Sequence, residues 1–296
     1  MNANRGAHSR WILLGPFFVF LILFWAIPLA GSLQQSLQSN EIYGEAEYVG
    51  LDNYRTLLND PKFFKAVRNT LVYALLSIVL TLPLALLLAH LLRAGFKKAR
   101  PLLSFILLLP GLTPPLVLSV LFLLVFHGKT GLLNARIIHP LGLDTIHWLR
   151  DPDFIMAALV IQAIWRWTGF MTFFILSGLD GIPRDYLDVA RLEGAGFWSR
   201  LKDVTLPSIR HVLLFCGIYL FIDAFAMFSG AYILLGGSGG TNNAGLLLVT
   251  YTYQRASSPF FEYGTSAAVS MTMLPFLLLL FWFILIRPTR QVEART

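Results

Sequence analysis

Cysteine, charge and nucleotide-binding glycine motifs are all scarce in this sequence, and each scarcity excludes something. The one cysteine, Cys216, lies in an apolar run. A single thiol closes no internal disulfide, so the fold does not rest on oxidation. Only 13% of the residues are charged, against about 25% in an average soluble domain. The pattern G-x-x-x-x-G-K followed by Ser or Thr does not occur, so the chain has no P-loop with which to hydrolyse ATP. The one dense glycine cluster, GGSGG at 236–240, follows an apolar run and has no lysine; it reads as a loop rather than a phosphate cradle. His127, His139 and His147 share one segment, but their spacing matches no metal-ligand pattern. No Ser/His/Asp arrangement can be argued.

What the chain has in quantity is long apolar runs. Hydrophobic residues make up 56% of it, and no Asp, Glu, Lys or Arg occurs in 11–40, 69–92, 101–128 or 263–286. A helix crosses the hydrocarbon with about 20 apolar residues. Two further runs hold one charge each, Arg166 in 154–179 and Asp223 in 212–235. The runs predict an all-α polytopic membrane protein with six transmembrane helices, at 11–35, 68–92, 102–126, 154–179, 212–235 and 263–286, forming one transmembrane domain over 1–296. The first run is too long for a signal-peptide core and is followed by no convincing cleavage site; it is expected to be an uncleaved span. Pro83, Pro110, Pro114, Pro115 and Pro275 fall in or at the ends of spans, where they can kink helices.

The net charge is +7. Nucleic acid is one partner for a basic protein, but in a membrane protein Lys and Arg gather in cytoplasmic loops. With the N-terminus inside, inner segments hold 14 of the 23 Lys and Arg and outer segments hold eight. The short connection RAGFKKAR (93–100) is purely basic. Both termini and the loop 180–211 are therefore expected in the cytoplasm. On the outer side, LDNYRTLLNDPKFFKAV (51–67) is amphipathic, and AGLLLVTYTY (244–253) is too short to cross and is expected at the outer surface.

The loop 180–211 is charged but well punctuated for helix. Pro183 suits a first helical position and Asp185 complements the helix dipole. Gly194 or Gly196 can end the helix in a left-handed conformation. Tyr186, Val189, Ala190 and Glu193 share a face at spacings of three and four. A second piece, FWSRLKDV, follows, and Leu206-Pro207 stops it. The reading is helix, glycine turn, helix, held either by the inner ends of the spans or by a cytosolic partner, or else resting on lipid headgroups.

This segment resembles the EAA loop of permease subunits in binding-protein-dependent ABC importers. The family pattern is EAA, three residues, Gly, nine residues, Ile, one residue, Leu-Pro. Here it runs Asp188, Val189, Ala190, then Gly194, then Val204, Leu206 and Pro207, with Asp for Glu, Val for Ala and Val for Ile. Glu193-Gly194-Ala195 is similar to the DGA of the carbohydrate branch, which extends to glycerol phosphate. VGLDNYRTLLNDPKFFKAVRNTLVY (49–73), LLLPGLTPPLV with GLLN, and IWRWTGFMTFFILSGLDGIPRDYLDVA resemble that branch in the same order. GGTNNAGLLLVTYTY (239–253) resembles its outer loop, with Thr241 where Pro is usual and Gly245 where Thr is usual. The resemblance implies that the chain is a bacterial inner-membrane permease subunit and not itself an enzyme. Asp188, Val189, Ala190, Glu193, Gly194, Ala195, Leu206 and Pro207 would form the coupling element. Asp188 would be its charged contact with a cytosolic ATPase, and Ala190 and Gly194 would permit close approach. The implied partners are a second homologous permease chain, two cytosolic ATP-binding subunits that carry the ATP and Mg, an extracytoplasmic solute-binding protein, a sugar or polyol cargo, and lipid. No cofactor is expected in this chain and no nucleic acid beside it.

The intramembrane charges Arg166 and Asp223 each cost about 2.5–3.5 kcal/mol on insertion scales, so each is expected to face a partner or a wet cavity. They either line one pathway or lock spans four and five together. Trp165 beside Trp167 and Thr168, Tyr219 beside Asp223, and Ser229 beside Tyr232 pair aromatic faces with hydrogen-bonding groups, as a sugar site does. Two other classes stay open. An ion-coupled transporter would rely on intramembrane carboxylates, of which Asp223 alone is available. An integral-membrane enzyme would show clustered Asp, His or Cys at the membrane surface.

Overall fold

The computed structural model of the chain describes residues 14–40, 47–95, 98–260 and 262–293, and at 280, 281 and 283–293 the backbone only. The first three residues of the expected first span, and Glu41 and Glu45, lie outside the described residues. The helices are α1 Leu14–Ser36, α2 Asp52–Leu58, α3 Pro61–Ala94, α4 Arg100–Leu112, α5 Pro115–Val125 and α6 Pro152–Asp180. There follow α7 Arg184–Leu192, α8 Phe197–Ser208, α9 Arg210–Phe225, α10 Ser229–Leu234, α11 Leu248–Ala256 and α12 Tyr263–Glu293. Among the described residues there is no strand, only an isolated bridge between Gln38 and Tyr48.

Among the described residues, α1, α3 and α6 are each long and apolar enough to cross a bilayer, and each of two bent pairs, α4 with α5 and α8 with α9, adds one more if counted as a single span. Two of the expected spans are therefore not single rods. The run 102–126 breaks at Thr113, where α4 and α5 meet at 95°. The reason is local. A residue before proline is pushed out of the helical region, and Thr113 (ψ 132°) and Pro114 (ψ 135°) each precede one. The run 212–235 stops at Phe225, and α10 begins after a non-helical link through Ala226–Phe228. At its other end, Leu206-Pro207 does not stop the helix; α8 continues through Ser208 and the 72° bend falls at Ile209.

The chain divides into two compact units. The first takes the described parts of 1–61 and 252–296. In it α12 packs on α1 and α2, and buried Asn53 ties the turn after α1, its Nδ2 donating to the Ser36 and Gln38 carbonyls at 2.9 and 2.7 Å. Asn40 accepts from the Thr265 backbone N–H at 3.1 Å. Arg255 pairs with Asp60 and with Glu262. Asn53→Ala removes two donors from buried carbonyls, at about 1–3 kcal/mol each; a clearly lowered melting temperature in detergent is the expected result.

The second unit spans residues 62–251. Its centre is α6, on which α4, α9 and α10 pack. Ser77, Thr81, Ala85 and Ala89 recur every fourth residue on α3, all buried. Thr172 of α6 reaches the Ala85 carbonyl at 3.4 Å, and Met171, Ile175, Leu179, Cys216 and Leu220 close the core. AGLLLVTYTY packs largely into the protein: Leu246, Leu247 and Tyr251 are buried, while Tyr253 is exposed. Asn69 of α3 donates to the carbonyls of Asn243 and Leu246 at 2.9 and 3.1 Å, and the Leu248 N–H donates to Thr70 Oγ1 at 2.9 Å. An apolar stretch too short to span gains more from burial in protein than from resting at an interface.

Candidate functional site

The segment 184–208 folds as helix, glycine turn, helix. Gly194 sits at φ +79°, its N–H donating to the Arg191 carbonyl at 3.0 Å and the Ala195 N–H to the Ala190 carbonyl at 2.9 Å. These two bonds are a Schellman cap. The loop is anchored by Ile182 and Ile209, both buried in the core, with Leu187 packed against them. The buried stripe of α7 therefore runs through Leu187 and Ala190. The face inferred from spacing is turned relative to it: Ala190 is 8% exposed, while Tyr186, Val189 and Glu193 point outward. Spacing alone gives which residues are neighbours, not which side of them meets the body of the protein.

What remains outside mixes charged residues, Asp185, Asp188, Arg191 and Glu193 among them, with large apolar ones. Leu192 is 88% exposed and Trp198 76%, with Tyr186, Val189 and Phe197 also exposed. Asp188 is exposed and pairs with Arg191 at 3.0 Å. Ala195 and Leu206 are half-buried, and Pro207 is exposed. Five large apolar side chains on so short an exposed stretch form a surface that water does not favour.

A second group lies at the α5, α6, α9 and α10 junction. Trp167 Nε1–H donates to Asp223 Oδ2 at 2.7 Å. The Arg166 guanidinium stands 4.7 Å from the Trp167 ring centroid. Among the described residues no ion pair joins Arg166 to Asp223; the indole stands between them and serves both, as a donor to the carboxylate and a π face to the cation. Arg166 and Asp223 line one small cavity with Tyr73, Gln162 and Met227, of about 10 Å³, room for about one water. Gln162 Oε1 and Arg166 Nε are buried there without hydrogen-bond partners. Beside it, Trp167, Phe170 and Tyr219 pack edge-on or tilted against one another with centroids 5.1–5.7 Å apart.

Of the residues singled out for this pathway, the fold brings together Arg166, Asp223 and Tyr219. It does not bring Trp165, which is 60% exposed, nor Ser229, which lies beside the cavity-lining Gly230 but does not itself line it. Sequence reasoning missed Tyr73 and Gln162. Gln162 carried a readable signal, a lone amide in an apolar run four residues before Arg166. Among the described residues no three His, Cys, Asp or Glu gather as a metal site.

Comparison with known proteins places this geometry. Residues 81–290 match the family described as "binding-protein-dependent transport system inner membrane component". The chain belongs to this family. Among curated relatives, the permease is 31% identical over 266 residues to the arabinooligosaccharides transport system permease protein AraP of Bacillus subtilis (strain 168), covering 90% of this chain and 84% of that one. It is 30% identical over 268 residues to the trehalose/maltose transport system permease protein MalF of Thermococcus litoralis, covering 90% and 89%. Among solved structures, the permease superposes with a TM-score of 0.81 at 21% identity, covering 96% of each chain, on a chain of a bacterial alginate ABC transporter in complex with an alginate pentasaccharide-bound periplasmic protein. That likeness establishes a shared fold. As an inner-membrane component of a transport system, the permease is a transport subunit.

Proposed function

We propose that the chain is one of two permease halves of an ABC importer that carries a sugar or oligosaccharide across the bacterial inner membrane. The single observation that carries this reading is the anchored, capped loop that leaves the large apolar side chains Tyr186, Val189, Leu192 and Trp198 exposed among its charges. A cytosolic ATPase subunit supplies what covers them. Asp188 and Glu193 flank them with charge, and Leu206-Pro207 carry motion into α9. The relatives named above for arabinooligosaccharides and for trehalose and maltose support a carbohydrate cargo. Six spans with both termini in the cytoplasm, two ATPase subunits binding ATP and Mg, a second permease chain and an external solute-binding protein complete the machine. Arg166, Asp223 and Tyr219, with Trp167, are its cargo-facing polar group. The cavity at their level, about 10 Å³, is too small for a sugar, so passage requires α9 and α10 to move from α5 and α6, and the link at 226–228 lies where such movement is absorbed.

The test is reconstitution with the partner subunits and binding protein, reading uptake of labelled oligosaccharide. Leu192→Asp is expected to abolish ATP-driven uptake and ATPase co-purification while leaving the chain folded; unchanged uptake would refute the reading. Trp167→Phe keeps an aromatic ring but removes the bond to Asp223, worth about 1.5–3 kcal/mol for a charged acceptor. Uptake is expected to fall about tenfold or more, since about 1.4 kcal/mol is a factor of ten, with ATPase co-purification intact.

A further inference from the structure

A groove of about 950 Å³ opens where the end of α3, the start of α4 and the inner side of α7 meet. Its charged lining is Arg93, Arg100, Arg184 and Arg191 against Asp180 and Asp188, with His90 beside them. The carboxylates do not neutralise the arginines. Arg100 pairs with Asp180 and Arg191 with Asp188. Arg93 has only a 3.9 Å contact to the already paired Asp180, and no ion pair joins Arg184 to an acid among the described residues. Arg100 also lines a second groove, of about 360 Å³, which runs along α4 and α6 past Pro101, Phe105, Leu108, Phe173 and Leu176. A cationic pocket and an apolar channel thus share one arginine.

We propose that this composite groove binds an anionic phospholipid. The phosphate sits on Arg93 and Arg184, with Arg100 at the junction, and one acyl chain lies in the channel over Phe105 and Phe173. Charge complementarity selects the occupant. An anionic phosphodiester offsets the excess of positive charge, four arginines against two carboxylates, while a zwitterionic lipid brings an ammonium that the arginines repel. The apolar channel excludes a free phosphate as the full ligand, because it would leave Phe105 and Phe173 uncovered. The site rests on the reading of the chain as a bilayer-spanning permease with α7 on the cytoplasmic side. Since α7 forms one wall, the lipid braces the coupling element from the bilayer side.

The experiment uses the full chain in its assembled transporter, incorporated in nanodiscs of equal parts phosphatidylglycerol and phosphatidylcholine, then moved to detergent and washed. Co-purifying lipid is quantified by mass spectrometry. Phosphatidylglycerol is expected to be retained about tenfold or more over phosphatidylcholine, as two basic side chains at an anionic headgroup allow. R93Q/R184Q is expected to bring the ratio near parity. Should that variant fold poorly, Ser104→Trp, which fills the apolar channel and leaves every arginine in place, is expected to lower total retained lipid. Equal retention of the two lipids by the wild type, or retention unchanged in both variants, would overturn the site. Displacement of the lipid by millimolar inorganic phosphate would also overturn it, by showing a headgroup-only site. Retention is read without transport, so failure of the importer assignment leaves this result independently legible.

Discussion

Gly169→Ala is expected to cost the permease much of its folded yield, the largest stability effect of any single methyl in the chain. A Cβ at Gly169 would be driven into the backbone carbonyl of Leu107. The obstacle is backbone, not a side chain that can rotate away, so α4 and α6 must separate. One turn along the same crossing, a Cβ at Gly111 would stand 3.3 Å from the Arg166 carbonyl, so the two glycines set the helix approach at two points. Small residues let helix backbones approach in membranes, where packing rather than hydrophobicity drives association. Overpacking a tight core costs about 1–3 kcal/mol even when side chains can adjust, and here they cannot. The measurement is monodisperse yield and melting temperature in detergent, with Gly111→Ala expected to be milder. A Gly169→Ala protein that melts with the wild type would show that the crossing is not tight.

Gly194→Val should do the opposite: leave the fold and destroy the activity. Nothing lies within 4 Å of a Cβ there, so no packing is lost. The cost is the left-handed backbone, about 1–2 kcal/mol for an L-residue and more for a β-branched one. That cost falls on the turn that fixes α7 against α8. If those helices transmit ATPase closure, uptake falls more than about tenfold, the factor that about 1.4 kcal/mol represents, while the melting temperature stays near that of the wild type. Gly194→Asn, which tolerates this conformation, should retain most uptake. Normal uptake with valine would mean that the angle between the two helices is immaterial.

Much of the loop was legible in the sequence because its signals are local. Pro183, Asp185 and Gly194 act on their own backbone: α7 stops just before Gly194, as expected, and starts one residue late, at Arg184, with Pro183 as its non-helical cap. The adjacent prolines 114 and 115 also marked the elbow, although the apolar run concealed it. What was not legible is rotational phase. In a soluble helix a polar face shows which side looks outward, but when lipid and core are both apolar that contrast vanishes. Trp165 and Trp167 were therefore indistinguishable in the sequence, yet one is exposed and the other buried on Asp223. The approach at Gly169 is hidden for a related reason: a glycine in a helix signals a close neighbour only once the neighbour is known.

The elbow between α4 and α5 has a bearing on what must lie against it. Limbs of 13 and 11 residues measure about 20 and 17 Å at 1.5 Å per residue, short of the roughly 30 Å of hydrocarbon. Pro115 has no N–H to offer the Gly111 carbonyl, whereas the Pro110 carbonyl accepts from the Thr113 N–H at 3.3 Å. Oil cannot solvate a bare acceptor, so the Gly111 corner of the permease needs a polar neighbour or water rather than lipid.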